Sequence, residues 1–298
     1  MSMFEPLLFI LLLNWNGWKD TVECIESCRK LSYPHFRILI IDNGSTDGSE
    51  AMLRERFPDL DFIQTGVNLG FAGGNNVGIR YALEQGADYV WLLNNDTVVE
   101  PDALSALVQI AQADKTIGMV GSKILFHADP ERLWYAGAVL DSDKPHRPYH
   151  LGLNEKDRGQ YAAACDTGYI TGCSLLARRE MIEAVGVMDE ELFLYFEDAD
   201  WSARAKAAGW RLVYCPESLV YHKVSVSTGG AASPTLLYYT SRNRLYFVKR
   251  NFPGKLMQAL FYDLYEHVLV SLKKGRLECA REGARGIRDF MLGKAGPR

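Results

Sequence analysis

The chain contains no run of residues long enough to cross a bilayer. The apolar stretch Leu7-Leu8-Phe9-Ile10-Leu11-Leu12-Leu13 falls far short of the ~20 residues a span needs. Glu5 is the nearest charge before it, and Asn14-Trp15-Asn16-Gly17 follows it, so both the basic flank and the cleavage site of a secretory leader are missing. The phosphate-binding signatures G-x-x-x-x-G-K-[ST] and G-x-G-x-x-G after a first strand are also missing. There is no C-x-x-C and no Cys/His cluster at zinc spacing. The six cysteines (24, 28, 165, 173, 215, 279) are scattered, which suits reduced thiols in a cytoplasmic protein. His146 and His150 are four apart, but Pro148 between them argues against a helical metal pair. Neither an internal repeat nor a low-complexity segment is present. The matches to the N-glycosylation pattern, Asn43-Gly44-Ser45 and Asn95-Asp96-Thr97, carry no weight without a secretory signal.

Of the 298 residues, 48% are hydrophobic, enough for one large α/β domain or two smaller ones. Net charge is −4, unevenly spread: residues 235–298 hold 13 Lys/Arg and 5 Asp/Glu, whereas 1–234 hold 20 and 32. A basic tail behind an acidic body predicts an anionic surface or partner for the tail.

The most informative stretch is Tyr89-Val90-Trp91-Leu92-Leu93-Asn94-Asn95-Asp96-Thr97. Its continuous apolar half reads as a strand buried on both faces. Its end presents a carboxylate where ligands bind in open α/β sheets; equally, Asn94-Asn95-Asp96 suits a plain polar turn. The same pattern precedes it three times. Strands are predicted at 7–13, 37–41 and 61–64, ending in Asn14/Asn16, Asp42/Asn43 and Asn68, with helices over about 18–31, from Ser45 or Asp47 to Phe57, and through Asn75, Asn76 and Arg80 to Gly86. Pro101 opens a helix after the fourth strand. Alternating β and α units imply a mostly parallel sheet with all four polar ends on one rim. Further strands are expected at 117–126, 135–140, 169–177, 211–214 and 219–222, a mobile loop over 141–161, and helices over 179–185 and from Glu197 to Ala208. From Pro234 onward the chain reads as helical, with Leu256, Leu260, Leu264 and Val268 forming an apolar stripe.

Taken together, Asn14-Trp15-Asn16, Ile41-Asp42-Asn43-Gly44-Ser45-Thr46-Asp47, Asn68-Leu69-Gly70-Phe71-Ala72-Gly73-Gly74-Asn75-Asn76, Leu93-Asn94-Asn95-Asp96-Thr97 and Phe196-Glu197-Asp198-Ala199-Asp200 with Arg204 occur in an order that resembles glycosyltransferase family 2, and within it the rhamnosyltransferases of bacterial polysaccharide assembly. The resemblance covers roughly residues 7–225. It implies an inverting enzyme of the GT-A fold, α/β with a mostly parallel central sheet. The catalytic domain would span 1–233 (donor half about 1–115, acceptor half about 116–233), followed by a basic helical extension over 234–298. It further implies a nucleotide-diphosphate sugar donor, with dTDP-rhamnose the best match, a Mg or Mn cation, and a saccharide or polyprenyl-linked acceptor in cell-surface polysaccharide synthesis. Asn14, Asn16, Asp42, Asn43, Asn68 and Asn75 would line the nucleotide site, with Asn95 beside it. Asp96 would hold the metal, His222 would be a further metal or diphosphate ligand, and Asp198, with Glu197 beside it, would be the base. Asn94 stands where the family's D-x-D motif has its first Asp, which leaves fewer carboxylates for the cation.

The chemistry suits these residue types. Glycosyl transfer needs a cation to offset charge growing on the leaving diphosphate and a carboxylate to take the acceptor's proton. Taken alone, Glu197, Asp198 and Asp200 would only complement a helix dipole. Two rival classes are a nucleotidyltransferase, disfavoured because Lys19 is the only cation over 14–20, and a non-catalytic sugar-binding protein. No nucleic-acid partner is expected. The tail predicts peripheral contact with the inner face of a membrane or, alternatively, a homodimer.

Overall fold

The computed structural model describes residues 5–224 and 233–298. The donor half alternates as expected: β1 (Leu8–Asn14), α1 (Trp18–Cys28), β2 (Phe36–Asp42), α2 (Ser49–Arg56), β3 (Asp61–Gln64), α3 (Gly70–Glu84) and β4 (Tyr89–Asn94). Then come β5 (Thr97–Val99), α4 (Ala103–Ala113), β6 (Ile117–Phe126), β7 (Asp129–Tyr135), β8 (Ala138–Val139), β9 (Tyr149–His150), β10 (Cys165–Asp166) and β11 (Ser174–Arg178). The remainder is α5 (Arg179–Val185), α6 (Glu197–Ala207), β12 (Arg211–His222), α7 (Pro234–Asn251), α8 (Leu256–Asp263), α9 (Val270–Lys273) and α10 (Leu277–Met291).

Among the described residues one sheet runs in the order β10-β12-β6-β11-β4-β1-β2-β3, with β5 added to β12 and β7 to β6. β1 pairs in parallel with both β2 and β4, and β2 with β3. The continuous apolar runs have the reason assigned to them. In β1, Leu8, Ile10 and Leu12 enter the core on one side of the sheet, while Phe9 and Leu11 enter the core on the other. Fully burying each such side chain contributes ~1.5–3 kcal/mol. β11 is inserted antiparallel between β4 and β6.

Several boundaries differ from expectation. The strand expected over 135–140 breaks at Gly137, whose φ of +94° an extended strand cannot hold. The one expected over 169–177 begins only at Ser174, because 169–173 turns at the end of β4, where Asn94 donates to the Cys173 carbonyl at 2.9 Å. The two late strands are one, β12, bulged between Cys215 and Leu219 at Pro216. α1 stops at Cys28, and α2 starts at Ser49 behind Gly48, with neither Ser45 nor Asp47 as its N-cap. The Ser45 hydroxyl is spent on Asn14 and Asn16 instead. Pro101 lies two residues ahead of α4. The segment over 141–161 is tied down by β9 pairing with β8 and by a bridge between Arg132 and Lys156.

The tail stripe is partly re-phased. Leu256, Leu260 and Val268 pack on the core, but Leu264 is exposed. The period-four count assumes an uninterrupted α-helix, and a wider π turn over Leu264–Leu269 rotates the face. A second apolar row, Met257, Phe261, Tyr265, Leu269 and Leu272, is exposed. Among the described residues no helix is long and apolar enough to cross a membrane.

Candidate functional site

The rim at the carboxyl ends of β1, β2 and β4 is held by a network of side-chain amides. Asn14 is fully buried. Its Nδ2 donates to Asp42 at 2.8 Å and to Ser45 at 3.1 Å, and its Oδ1 accepts from Thr21 at 2.8 Å. Asp42 is likewise buried and also accepts from the Ser45 amide and Gln64. Asn43 donates to Asn68 and to the Gly70 carbonyl, and accepts from the Leu69 amide. Asn16, at φ +53°, accepts from the Thr46 amide. Asn75 is buried and turned back onto the Phe71 carbonyl, and Asn95 donates to Thr21. Asn14, Asp42, Asn43 and Asn75 are therefore committed to the protein, where they shape the rim. Gly70 adopts φ +75°, and a Cβ there would lie 2.3 Å from the Phe193 carbonyl oxygen, so α3 starts hard against the loop that carries the acids.

Asp96 and His222 are brought together by the short β5, which pairs Thr97 with His222 on β12. Asp96 Oδ1 lies 3.2 Å from His222 Nε2, and both side chains are nearly buried. Burial works against charging the His222 ring. Cys173 and Asp96 alongside outweigh it and push the ring up to about 10. Two ligands ~2.1 Å from one ion lie about 3 Å apart, so the Asp96–His222 pair fits a divalent cation. No group of three or more His, Cys, Asp or Glu suited to a metal occurs among the described residues. The remaining positions on such an ion would fall to substrate phosphates and water.

The acids enter from the other side. A cleft of about 450 Å³ is lined by Asn95, Asp96, His222, Glu197 and Asp198, with Trp134 and Tyr195 in its walls. Asp198 is half-buried. Its oxygens accept from the Gly172 amide at 3.0 Å and the Ala199 amide at 2.7 Å. Burial raises its affinity for a proton, against the pull of those two amides. Glu197 is buried, with one oxygen unpartnered. Burial, then the charge of Asp198, holds it well above the usual carboxylate range. Asp200 is bound to Arg204 and Asn251, each at 2.8 Å, and is a structural acid. Environment thus separates the three carboxylates: Glu197 and Asp198 are both raised by burial, Glu197 the further, and Asp200 is locked in an ion pair.

Composition did not reveal how the acidic loop is supported. Phe193, Tyr195 and Phe196 all have positive φ, between 63° and 74°, a conformation that costs a bulky residue of order 1–3 kcal/mol. The brace comes from the tail. Asn243 on α7 is fully buried, and its amide nitrogen lies 2.7, 2.8 and 2.9 Å from the carbonyl oxygens of Leu192, Leu194 and Tyr195. Arg242, also fully buried, reaches the carbonyls of Glu191 and Leu192. A signal was present: Tyr238, Tyr239, Leu245, Tyr246 and Phe247 surround the helix with aromatic and apolar residues, so polar groups among them must be buried and partnered. Asn243→Ala is expected to lower kcat about 10–100-fold through loop displacement and to cost about 1–3 kcal/mol of stability. Steady-state kinetics and thermal melting check both, and a variant with wild-type kcat would remove the bracing role.

The profile described as glycosyl transferase family 2 matches residues 10–186. The chain is 30% identical over 213 residues to the N-acetylglucosaminyl-diphospho-decaprenol L-rhamnosyltransferase of Mycobacterium tuberculosis, covering 64% of this chain and 68% of that one. It is 25% identical over 282 residues to the dTDP-rhamnosyl transferase RfbF of Shigella flexneri, covering 87% of each. Among solved structures it is similar to a mannosyltransferase from Pyrobaculum calidifontis in complex with GDP-Man and Mn2+, with a TM-score of 0.61 and 16% identity over 97% of this chain and 76% of that one. With the mostly parallel sheet, the polar rim and the paired acids in place, the chain belongs to glycosyltransferase family 2, has the GT-A fold, and is a hexosyltransferase.

Proposed function

We propose that this protein is an inverting, metal-assisted rhamnosyltransferase that moves L-rhamnose from dTDP-rhamnose to a saccharide or lipid-linked saccharide in cell-surface polysaccharide synthesis. The observation that carries the reaction is the single cleft that holds the Asp96–His222 pair and Asp198 together. The names of the Mycobacterium and Shigella relatives support the sugar.

In this reading Asp96 and His222 would hold a Mg or Mn ion, which when bound would offset charge on the donor diphosphate. The nucleotide lies along the rim of Asn16, Asn68 and Asn95, kept in shape by Asn14, Asp42, Asn43 and Asn75. Asp198 takes the proton of the acceptor hydroxyl as its oxygen bonds to the anomeric carbon. The bond from that carbon to the diphosphate breaks on the opposite face, so configuration inverts. Glu197 lies beside the base, its carboxyl raised by burial and by the charge of Asp198.

Thermal unfolding with a panel of nucleotide sugars and Mn2+ tests the donor. A donor present at 100 times its dissociation constant adds about 2.7 kcal/mol, and dTDP-rhamnose is expected to give the largest shift. A larger shift from a UDP- or GDP-sugar would replace the donor assignment.

The tail is assigned to an anionic membrane surface. The exposed row Met257, Phe261, Tyr265, Leu269 and Leu272 runs into Lys273, Lys274 and Arg276, and each basic residue near an anionic leaflet contributes ~1 kcal/mol. Sedimentation with anionic liposomes at low salt is expected, with release at high salt. Protein that stays in the supernatant at low salt, and whose dimer is lost on Phe261→Asp, would make the row a subunit interface instead.

A further inference from the structure

His222 differs from an ordinary metal-ligating histidine in one respect. Such a ring usually donates its second N–H to a carbonyl or carboxylate, and that bond sets the plane of the imidazole. Here Nε2 faces Asp96 at 3.2 Å, but Nδ1 is buried and has no hydrogen-bond partner among the described residues. Cys173 lies alongside the ring, and a thiol is a weak hydrogen-bonding group. The terminal torsion of a histidine is broad, so a single contact through Nε2 leaves the plane of the ring loosely held. Packing must supply the rest.

Trp134 supplies it. The indole and the His222 ring are nearly perpendicular, at 86°, with their centres 4.7 Å apart, a favourable edge-to-face arrangement. Trp134 reaches this place through an irregularity of the sheet. Ile124 and Leu125 are consecutive on β6, yet their partners on β7 are Tyr135 and Leu133. Trp134 is therefore the extra residue of a β-bulge, a device that re-aims a side chain beside a site. Leu133 and Tyr135, on either side of it, are fully buried, whereas Trp134 is partly exposed and lines the cleft with Asp96, His222 and Asp198. The indole is itself held on a second side. The His150 ring on β9 packs against it at 4.7 Å and 67°, with Nδ1 3.3 Å from the Trp134 carbonyl oxygen. Tyr135, whose hydroxyl donates to the Tyr169 carbonyl at 2.8 Å, stands perpendicular to His150 in turn, 5.0 Å between centres. Four rings, Tyr135, His150, Trp134 and His222, thus run from the core to the carboxylate at the rim. Neither Trp134 nor His150 belongs to the motifs that carry the family resemblance.

We propose that Trp134 is a positioning residue for the metal site: its indole, aimed into the cleft by the bulge in β7, fixes the plane of the His222 ring so that Nε2 is presented beside Asp96. This rests on the reading of Asp96 and His222 as ligands of a divalent cation. Asp96 selects which nitrogen faces the site, and Trp134 removes the freedom of the ring to turn away from it. A ligand set in place before the cation arrives loses less freedom on binding, and so binds more tightly.

The test is Mn2+ binding to the full chain without nucleotide, followed by electron paramagnetic resonance, in wild type, Trp134→Leu, Trp134→Phe and His222→Ala. Leucine keeps an apolar side chain in the wall but removes the ring, whereas phenylalanine keeps a ring. Trp134→Leu is expected to weaken Mn2+ binding about 10-fold or more, the usual loss when the support behind a metal-ligating side chain is removed, and Trp134→Phe to recover most of it. The nitrogen hyperfine coupling of a bound imidazole should be present in wild type and Trp134→Phe, and weakened in Trp134→Leu at saturating Mn2+. Melting temperatures taken in EDTA show any loss of packing apart from loss of metal. Trp134→Met, which fills gaps flexibly, takes the place of a leucine variant that does not fold. Wild-type affinity and nitrogen coupling in the ringless variant overturn the positioning role and leave the metal ligands standing. Equal weakening by leucine and phenylalanine, in step with their melting temperatures, makes Trp134 a packing residue and also overturns it. Mn2+ affinity unchanged in His222→Ala overturns the ligand reading of His222, and the positioning role with it.

Discussion

Asp198→Asn is expected to lower kcat by about 10²–10⁴-fold, the usual loss when a general base is removed, while leaving donor binding intact. The substitution is nearly isosteric, and the amide oxygen can still accept from the Gly172 or Ala199 amide. What it cannot do is carry a proton away from the acceptor. The pH profile gives a second readout. Burial raises the Asp198 carboxyl above its ordinary range, and only the ionised form accepts the proton. Wild-type kcat/KM should therefore fall as pH drops through that raised value, and the same limb should be absent from the residual activity of the variant. Glu197 and Asp198 are adjacent acids, so the limb belongs to the pair. Asp200→Asn provides the contrast. It weakens the bonds to Arg204 and Asn251 and should lower the melting temperature more than it lowers kcat. A fully active Asp198→Asn beside an inactive Asp200→Asn would mean that the wrong carboxylate has been assigned.

Asp96→Ala is expected to abolish metal-dependent turnover, a loss of at least about 100-fold. Asp96 stands on the rim of the sheet, just beyond β4, and contributes no side chain to the strand cores, so circular dichroism should show an unchanged fold. Activity titrated with Mn2+ and Mg2+, with and without chelator, checks the assignment. A variant with wild-type turnover in chelator would end the metal role of both Asp96 and His222.

The donor half was legible because its signal is local and repeated. Three apolar runs end in Asn or Asp, the short third strand leads through Gln64 to Asn68, and a parallel sheet carries all four ends to one rim by chain direction alone. What those side chains do there was less legible. Asn14 and Asp42 satisfy each other beneath the rim, since a buried amide and carboxylate must find partners, and one-dimensional spacing does not reveal which amide faces solvent. His222 was placed beside Asp96 by resemblance. The physical cause is the three-residue strand β5, too short to show periodicity. A charge count of the tail treats every arginine as a surface group, whereas Arg242 and Arg244 lie inside. The exposed apolar row was hidden by the π turn, which no period-of-four count anticipates.

The brace from α7 to the loop over 193–196 also bears on how the chain unfolds. Local turns such as Leu194 N–H to the Leu192 carbonyl at 2.7 Å are joined by the side chains of a distant helix in holding the loop's left-handed backbone. Amide protons of α7 and of the acidic loop should then exchange with solvent in a single cooperative opening. A truncation ending before Pro234 would retain every residue of the β-sheet rim, with Asp96 and His222, yet remove the α7 side chains that hold the backbone leading into Asp198.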